Sequence, residues 1–135
     1  MSTVFVDTIK NQTGTTSLAA NKLPDMLSGS SKAWCCWNGT STAAIRDSHN
    51  VSSLTDNGSG DFTFDYTSNF SSANYTIAGC FAHSSAITNY SYNTQPRENS
   101  VVTASNVRLI TVYVGASVGI ADYPYSTFAT QGDLA

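Results

Sequence analysis

The run Asp56-Asn57-Gly58-Ser59-Gly60 leaves the chain one course, a tight reversal. Two glycines and an asparagine supply the positive φ angles that short hairpin loops need. The residues beyond it alternate. Phe62, Phe64 and Tyr66 fall on one face of an extended strand, and Asp61, Thr63 and Asp65 fall on the other. A hairpin with one apolar face is marginal alone, so a second layer has to cover that face.

The rest of the chain supplies such a layer. Lys32 to Trp37 (KAWCCW) reads as a strand with Ala33, Cys35 and Trp37 on one face and Trp34 and Cys36 on the other. Both faces are apolar, which a sheet with one solvated face would not show. Val107 to Val114 (VRLITVYV) repeats the pattern, apart from Arg108 and Thr111. Between and around them, Asn38-Gly39 is a turn, and Thr42–Arg46 is a return strand. Asp47–Asn50 reads as a connection and Val51–Thr55 as a strand. Tyr75–Phe81 and Ser126–Ala129 read as further strands. His83–Asn99 reads as a long polar loop and Gly115–Gly119 as a run of small residues. Several short strands punctuated by turns predict an all-β domain, a sandwich or closed barrel. The doubly apolar strands favour a β-sandwich-like domain with one outer face buried in an oligomer.

Ahead of this domain lies a lead-in arm. Thr3–Ile9 alternates as a short strand or extended arm, Asn11–Ser17 is turn chemistry, and Leu18–Leu27 is at best weakly helical, with Pro24 suited to a first turn. Ser28-Gly29-Ser30-Ser31 is a flexible joint. The sequence therefore divides into residues 1–27, an attachment or oligomerisation arm, and residues 28–135, the β domain.

Charge narrows the partners. Only 11% of the 135 residues are charged and the net charge is −3. The Lys and Arg residues are scattered without a run, which gives nucleic acid and anionic lipid no footprint. No apolar stretch reaches the length of a membrane span, and MSTVFVDTIKNQTG lacks the basic, apolar, small-residue order of a secretory leader. Cys35, Cys36 and Cys80 show no metal-binding spacing and read as reduced, partly buried thiols, a vicinal disulfide or an interchain bridge being the alternatives. The many Asn-x-Ser/Thr triplets follow from the Asn, Ser and Thr content.

No catalytic constellation stands out in the sequence. His49 and His83 have no nucleophile elbow near them. Asp47, Asp56, Asp61 and Asp65 surround one hairpin without the spacing of a Ca²⁺ loop, and read as turn and strand-face acids. The expectation is a protein without catalytic residues, cofactor or metal. Tyrosine and amide content carries the contact signal. Tyr90 and Tyr92 stand among Asn89, Asn93 and Gln95, and Tyr123 and Tyr125 flank Pro124. Rings stack on sugar faces and amides bond hydroxyls, so these tyrosines are candidates for glycan or partner contact. The other reading is that they pack the rim of the fold or a neighbouring subunit.

One resemblance joins these pieces. Lys32-Ala33-Trp34, Trp37-Asn38-Gly39-Thr40, Ile45-Arg46-Asp47-Ser48, Asn50-Val51-Ser52-Ser53 and Thr55-Asp56-Asn57-Gly58-Ser59-Gly60-Asp61 follow one another in an order and spacing that together are specific. The stretch resembles the terminal β domain of tail-fibre-like proteins of tailed bacteriophages, including phages of marine bacteria and cyanobacteria. The likeness extends more loosely through Asn74-Tyr75 and Val107-Arg108-Leu109 to Asp122-Tyr123. Ser2–Leu18, with Asp7-Thr8-Ile9-Lys10-Asn11, is similar to the start of such fibres, the part that attaches to the tail. The resemblance implies a homotrimer and a structural role in the virion tail after synthesis in the host cytoplasm. The protein would be a short tail-fibre-like component joined to other tail or baseplate proteins and contacting the host surface, where glycan is the candidate receptor. Trp34, Trp37 and Val112 would then pack core or interface. A stand-alone glycan-binding module and a capsid decoration protein are the alternatives.

Overall fold

Alternating side chains need two layers, and the computed structural model supplies them: an all-β sandwich, described for residues 8–10, 17–19, 30–82, 91–98 and 102–135. The chain divides into two units, Met1–Ser30 and Ser31–Ala135. Within the first, β1 (Thr8–Lys10) and β2 (Ser17–Ala19) form an antiparallel pair, with Ile9 opposite Leu18. Leu18 and Ala19 are thus in a strand where the sequence offered weak helix, and residues 20–29 lie outside the described residues.

The second unit is built from nine strands among the described residues. Sheet II runs β4 (Ala44–His49), β3 (Ala33–Asn38), β11 (Tyr125–Gln131), β7 (Thr76–Ala82). Sheet I is organised on β9 (Asn106–Val114). β8 (Ser91–Pro96) pairs along one edge of β9. The other edge is shared, first by β6 (Asp61–Tyr66) and then by β10 (Val118–Ile120). β5 (Val51–Gly58) pairs with β6 through the glycine hairpin.

Several elements differ from the sequence reading. β4 continues through His49, so Asn50 alone carries the chain from sheet II to sheet I. Asn50 adopts a φ of 55°, a conformation that asparagine tolerates, and its side chain bonds both the N–H and the C=O of Ser68. Ser91–Pro96 is a strand rather than loop, because a polar segment gains a full ladder against β9. Pro96 is tolerated because β8 is an edge strand. Val118–Ile120 emerges from the small-residue run as the return arm of a hairpin.

The core lies between the sheets. Trp37 is fully buried, with Phe64 at 4.7 Å, Phe62 at 5.9 Å and Phe128 at 6.0 Å between ring centroids, all edge-on. A second aromatic group, Tyr66, Phe70 and Tyr75, fills the opposite region, with Phe70 and Tyr75 stacked at 4.3 Å. There the Tyr66 hydroxyl donates to Tyr75, and Tyr75 donates to the Thr103 carbonyl. The two apolar faces of β3 have different fates. Ala33, Cys35 and Trp37 are in the core, while Trp34 and Cys36 lie half-buried on the outer face of sheet II.

Burial has a consequence at high pH. The Cys35 thiol is pushed up from 9.0 to about 12, first by burial and then by Cys36 and Asp47. Tyr66 and Tyr75 are also raised, again mainly by burial. The unfolded chain releases the Cys35 proton before the folded chain does. Its contribution to stability is therefore intact below pH 9.0 and is lost as pH rises toward about 12, at up to about 1.4 kcal/mol per pH unit for each such group. Urea unfolding followed by tryptophan fluorescence is expected to show a falling midpoint across this window, with a shallower fall in Cys35→Ala. A midpoint independent of pH in the wild-type chain would contradict this account.

Candidate functional site

One end of the sandwich gathers the tyrosines. β8 and β9 place Tyr92 directly opposite Tyr113, and β10 places Gly119 opposite Tyr113 on the other side. Gly119 is the seat of the Tyr113 hydroxyl, since a Cβ there would lie 2.5 Å from that oxygen. Tyr123 arrives from the segment after β10. Its carbonyl accepts from the Gly39 N–H at 2.8 Å, and its neighbour Asp122 accepts from the Gly60 N–H at 2.6 Å. The Tyr92 and Tyr123 rings meet edge-on at 5.3 Å. Burial raises the Tyr123 phenol above its usual range, helped by Tyr92 and Tyr113.

The structure thus brings Tyr92 and Tyr123 together and adds Tyr113, which the sequence had not singled out. For Tyr92 and Tyr123, the packing agrees with the reading that they close the rim of the fold. Tyr123 is buried and Tyr92 half-buried, because they close the end of the core against each other. Tyr125 is different. It is 49% exposed on the outer face of sheet II, with the Arg46 guanidinium 4.5 Å from its ring centroid. Arg46 is held there by two bonds to the Pro124 carbonyl, from Nε at 3.3 Å and Nη2 at 3.1 Å. Tyr90 lies outside the described residues, as does His83.

The outer face of sheet I carries the second group of contact residues. Val112 pairs with Ile120, and Val114 with Val118, so all four share one face with Ile110. This face points away from Leu109 and Val107, which are in the core. Val112 is nearly covered by its neighbours, whereas Val118 is 70% exposed and Val114 and Ile120 are also exposed. Of the three residues expected in core or interface, Trp37 is in the core, and Trp34 and Val112 lie on the outer faces of opposite sheets.

Beside the aliphatic patch lies a charged cluster. Asp61 faces outward, opposite Ile110, yet it is buried. Arg108 grips it in a fork, Nε to Oδ1 and Nη2 to Oδ2, both at 2.8 Å. Arg97 adds a third contact, Nη1 to Oδ2 at 2.8 Å. No sequence signal marks this cluster, since Asp61 and Arg108 are 47 residues apart and alternation alone reads both as surface charges.

The three other acids around the hairpin are spent locally. Asp56 accepts from Gly58 N–H, Asp47 from Ser48 N–H, and Asp65 from the Ser53 hydroxyl. Among the described residues, no three His, Cys, Asp or Glu side chains converge as metal ligands. Comparison with known protein families, with curated proteins and with solved structures gives no match to this chain.

Proposed function

We propose that this protein is a non-enzymatic structural component of a phage virion, a short tail-fibre-like protein that assembles as a homotrimer. The observation that supports self-assembly is the outward aliphatic group of Ile110, Val112, Val114, Val118 and Ile120 on sheet I. Val114, Val118 and Ile120 are the exposed members, and clustered exposed apolar side chains favour a protein contact over a solvated face. The phage assignment rests on the resemblance of Lys32–Asp61 to fibre terminal domains. In this reading residues 1–27 attach the chain to the tail or baseplate, and the sandwich forms the trimer.

Light scattering under reducing conditions tests the proposal. The expected mass of the full chain is three times 14.3 kDa. Val118 makes little contact with its own fold, so Val118→Asp leaves the subunit folded. Burying that charge in an apolar interface costs about 3 kcal/mol, on the order of a hundredfold in association, and the variant is expected to run as a monomer at micromolar concentration. A monomeric wild-type chain would overturn the assembly reading. A trimeric Val118→Asp would move the interface off sheet I.

A second reading, a glycan-binding module, is favoured by one specific observation: the exposed Tyr125 ring stacked with Arg46 on sheet II. It predicts sugar affinity in the isolated chain that is lost in Tyr125→Ala.

A further inference from the structure

The cluster of Arg97, Asp61 and Arg108 holds more positive charge than its own acid needs. The Asp61 side chain is 6% exposed, and a carboxylate so buried requires a partner. Arg108 meets that requirement alone, through a two-point fork. Arg97 is additional. Its N–H donates to the Arg108 carbonyl at 3.1 Å, which extends the β8–β9 ladder past Pro96 and sets the two arginines side by side on neighbouring strands. Like charges in that relation repel. Both guanidinium groups contact the same oxygen, Asp61 Oδ2, at 2.8 Å, Arg108 through a hydrogen bond and Arg97 as an ion pair, so the two nitrogens lie within twice that distance of each other. Two cations converge on one anion, with a net charge of +1 left over.

The outer edges of the pair face solvent. The Arg97 and Arg108 side chains are 39% and 38% exposed. Toward Asp61 stand Nη1 of Arg97, in ion-pair contact, and Nε and Nη2 of Arg108, in hydrogen bonds. Arg97 Nε and Nη2 and Arg108 Nη1 therefore remain as donors. The buried carboxylate fixes both planar groups in advance, which reduces the ordering cost of binding. Next along β8, Asn93 donates to Gln95 Oε1, which leaves the Gln95 amide N–H groups for another acceptor. The next acid along β6 on this face, Asp65, sits opposite Asn106, two residue pairs past Thr63–Arg108, and is bonded to Ser53.

We propose that Arg97 and Arg108, preset by Asp61, form an oxyanion site that takes the carboxylate or phosphate group of an acidic saccharide. The arginines grip the anion, and Gln95 serves the neighbouring hydroxyls. The proposal stands independently of trimer formation, since all three charged residues belong to one chain.

The test follows the arginine Nε–H resonances by NMR at constant ionic strength, with inorganic phosphate, D-galacturonate and neutral galactose as separate titrants. Saturating shifts centred on Arg97 and Arg108 are expected with phosphate or galacturonate, with a Kd on the order of 10 mM for so small a ligand, and none with galactose. The tighter of the two anions identifies the group, phosphate or carboxylate. Arg97→Gln is expected to weaken the response at least tenfold while Asp61 and Arg108 keep their fork. Arg97→Lys, which retains charge but not the planar edge, is expected to fall between. Shifts that rise linearly without saturation and match those from chloride would show screening only and overturn the site. So would a saturating response centred elsewhere, or one unchanged in Arg97→Gln.

Discussion

Trp37→Ala is expected to lower the unfolding free energy by about 4 kcal/mol, the middle of the range for loss of a large aromatic from a core. The indole is the element against which both sheets are packed, with Phe62 and Phe64 from sheet I and Phe128 from sheet II on its edges. Removing it opens a void that three rings cannot all fill, since each is held by its own strand. Trp37→Phe makes the account discriminating. The Trp37 Nε1 is buried without a hydrogen-bond partner, as is the Oγ of Ser126 directly opposite. Phenylalanine loses bulk but also removes an unsatisfied donor, so its cost is expected to be only about 1 kcal/mol. Urea denaturation of the two variants checks the difference. Equal losses would mean that the indole N–H, and not the ring volume, is what the core depends on.

Gly60→Ala is expected to cost about 3 kcal/mol. Two penalties combine at this position. The backbone has a φ of 64°, which costs a side-chain-bearing residue about 1 kcal/mol or more. A Cβ would also lie 2.6 Å from the Ala121 backbone nitrogen and 3.0 Å from its carbonyl oxygen. Backbone cannot swing aside as a flexible side chain can, and this backbone is tied down. The Gly60 carbonyl accepts from Thr111 N–H, and Thr111 in turn holds Ala121 through its hydroxyl and its carbonyl. Displacing Ala121 would therefore disturb β9 and the approach to Tyr123 together. Gly58 has a φ of 125° but open space around it, so Gly58→Ala carries strain without collision and is expected to cost less. Thermal unfolding of both variants gives the ranking, and a Gly58→Ala loss as large as that of Gly60→Ala would refute the steric part of the argument.

What the sequence shows, and what it hides, follows from how local each cause is. The hairpin at Gly58–Gly60 and the alternation of Phe62, Phe64 and Tyr66 are legible because φ and side-chain period act within a few residues. The sandwich is legible because alternation implies a second layer. β8 is hidden for the opposite reason. Ser91–Pro96 has no apolar run, and its one buried residue, Thr94, packs against Gly79 of another strand. Only the β9 edge makes it a strand. Tyr92 and Tyr123 were legible as candidates but not in their packing, since Tyr123 meets Tyr92 of another strand and the turn at Gly39, both distant in sequence. The arginine pair on Asp61 depends on register between three strands, which composition does not encode.

The order of strands in sheet II sets a schedule for synthesis. β11 lies between β3 and β7 and supplies the ladder to both. Lys32 N–H bonds the Thr130 carbonyl, and the Thr130 hydroxyl bonds the Ala33 carbonyl across 97 residues. As the chain leaves the ribosome, β3 emerges with Trp37 and Cys35 well before β11 and waits for that partner. Contacts of such long range also make folding slow, because the loop must close before the pairing rewards it. Throughout that interval a strand that carries core residues keeps an open edge, the condition in which chains capture one another. Yield of soluble protein should therefore respond to the rate of translation and to chaperone supply more than to the stability of the finished fold.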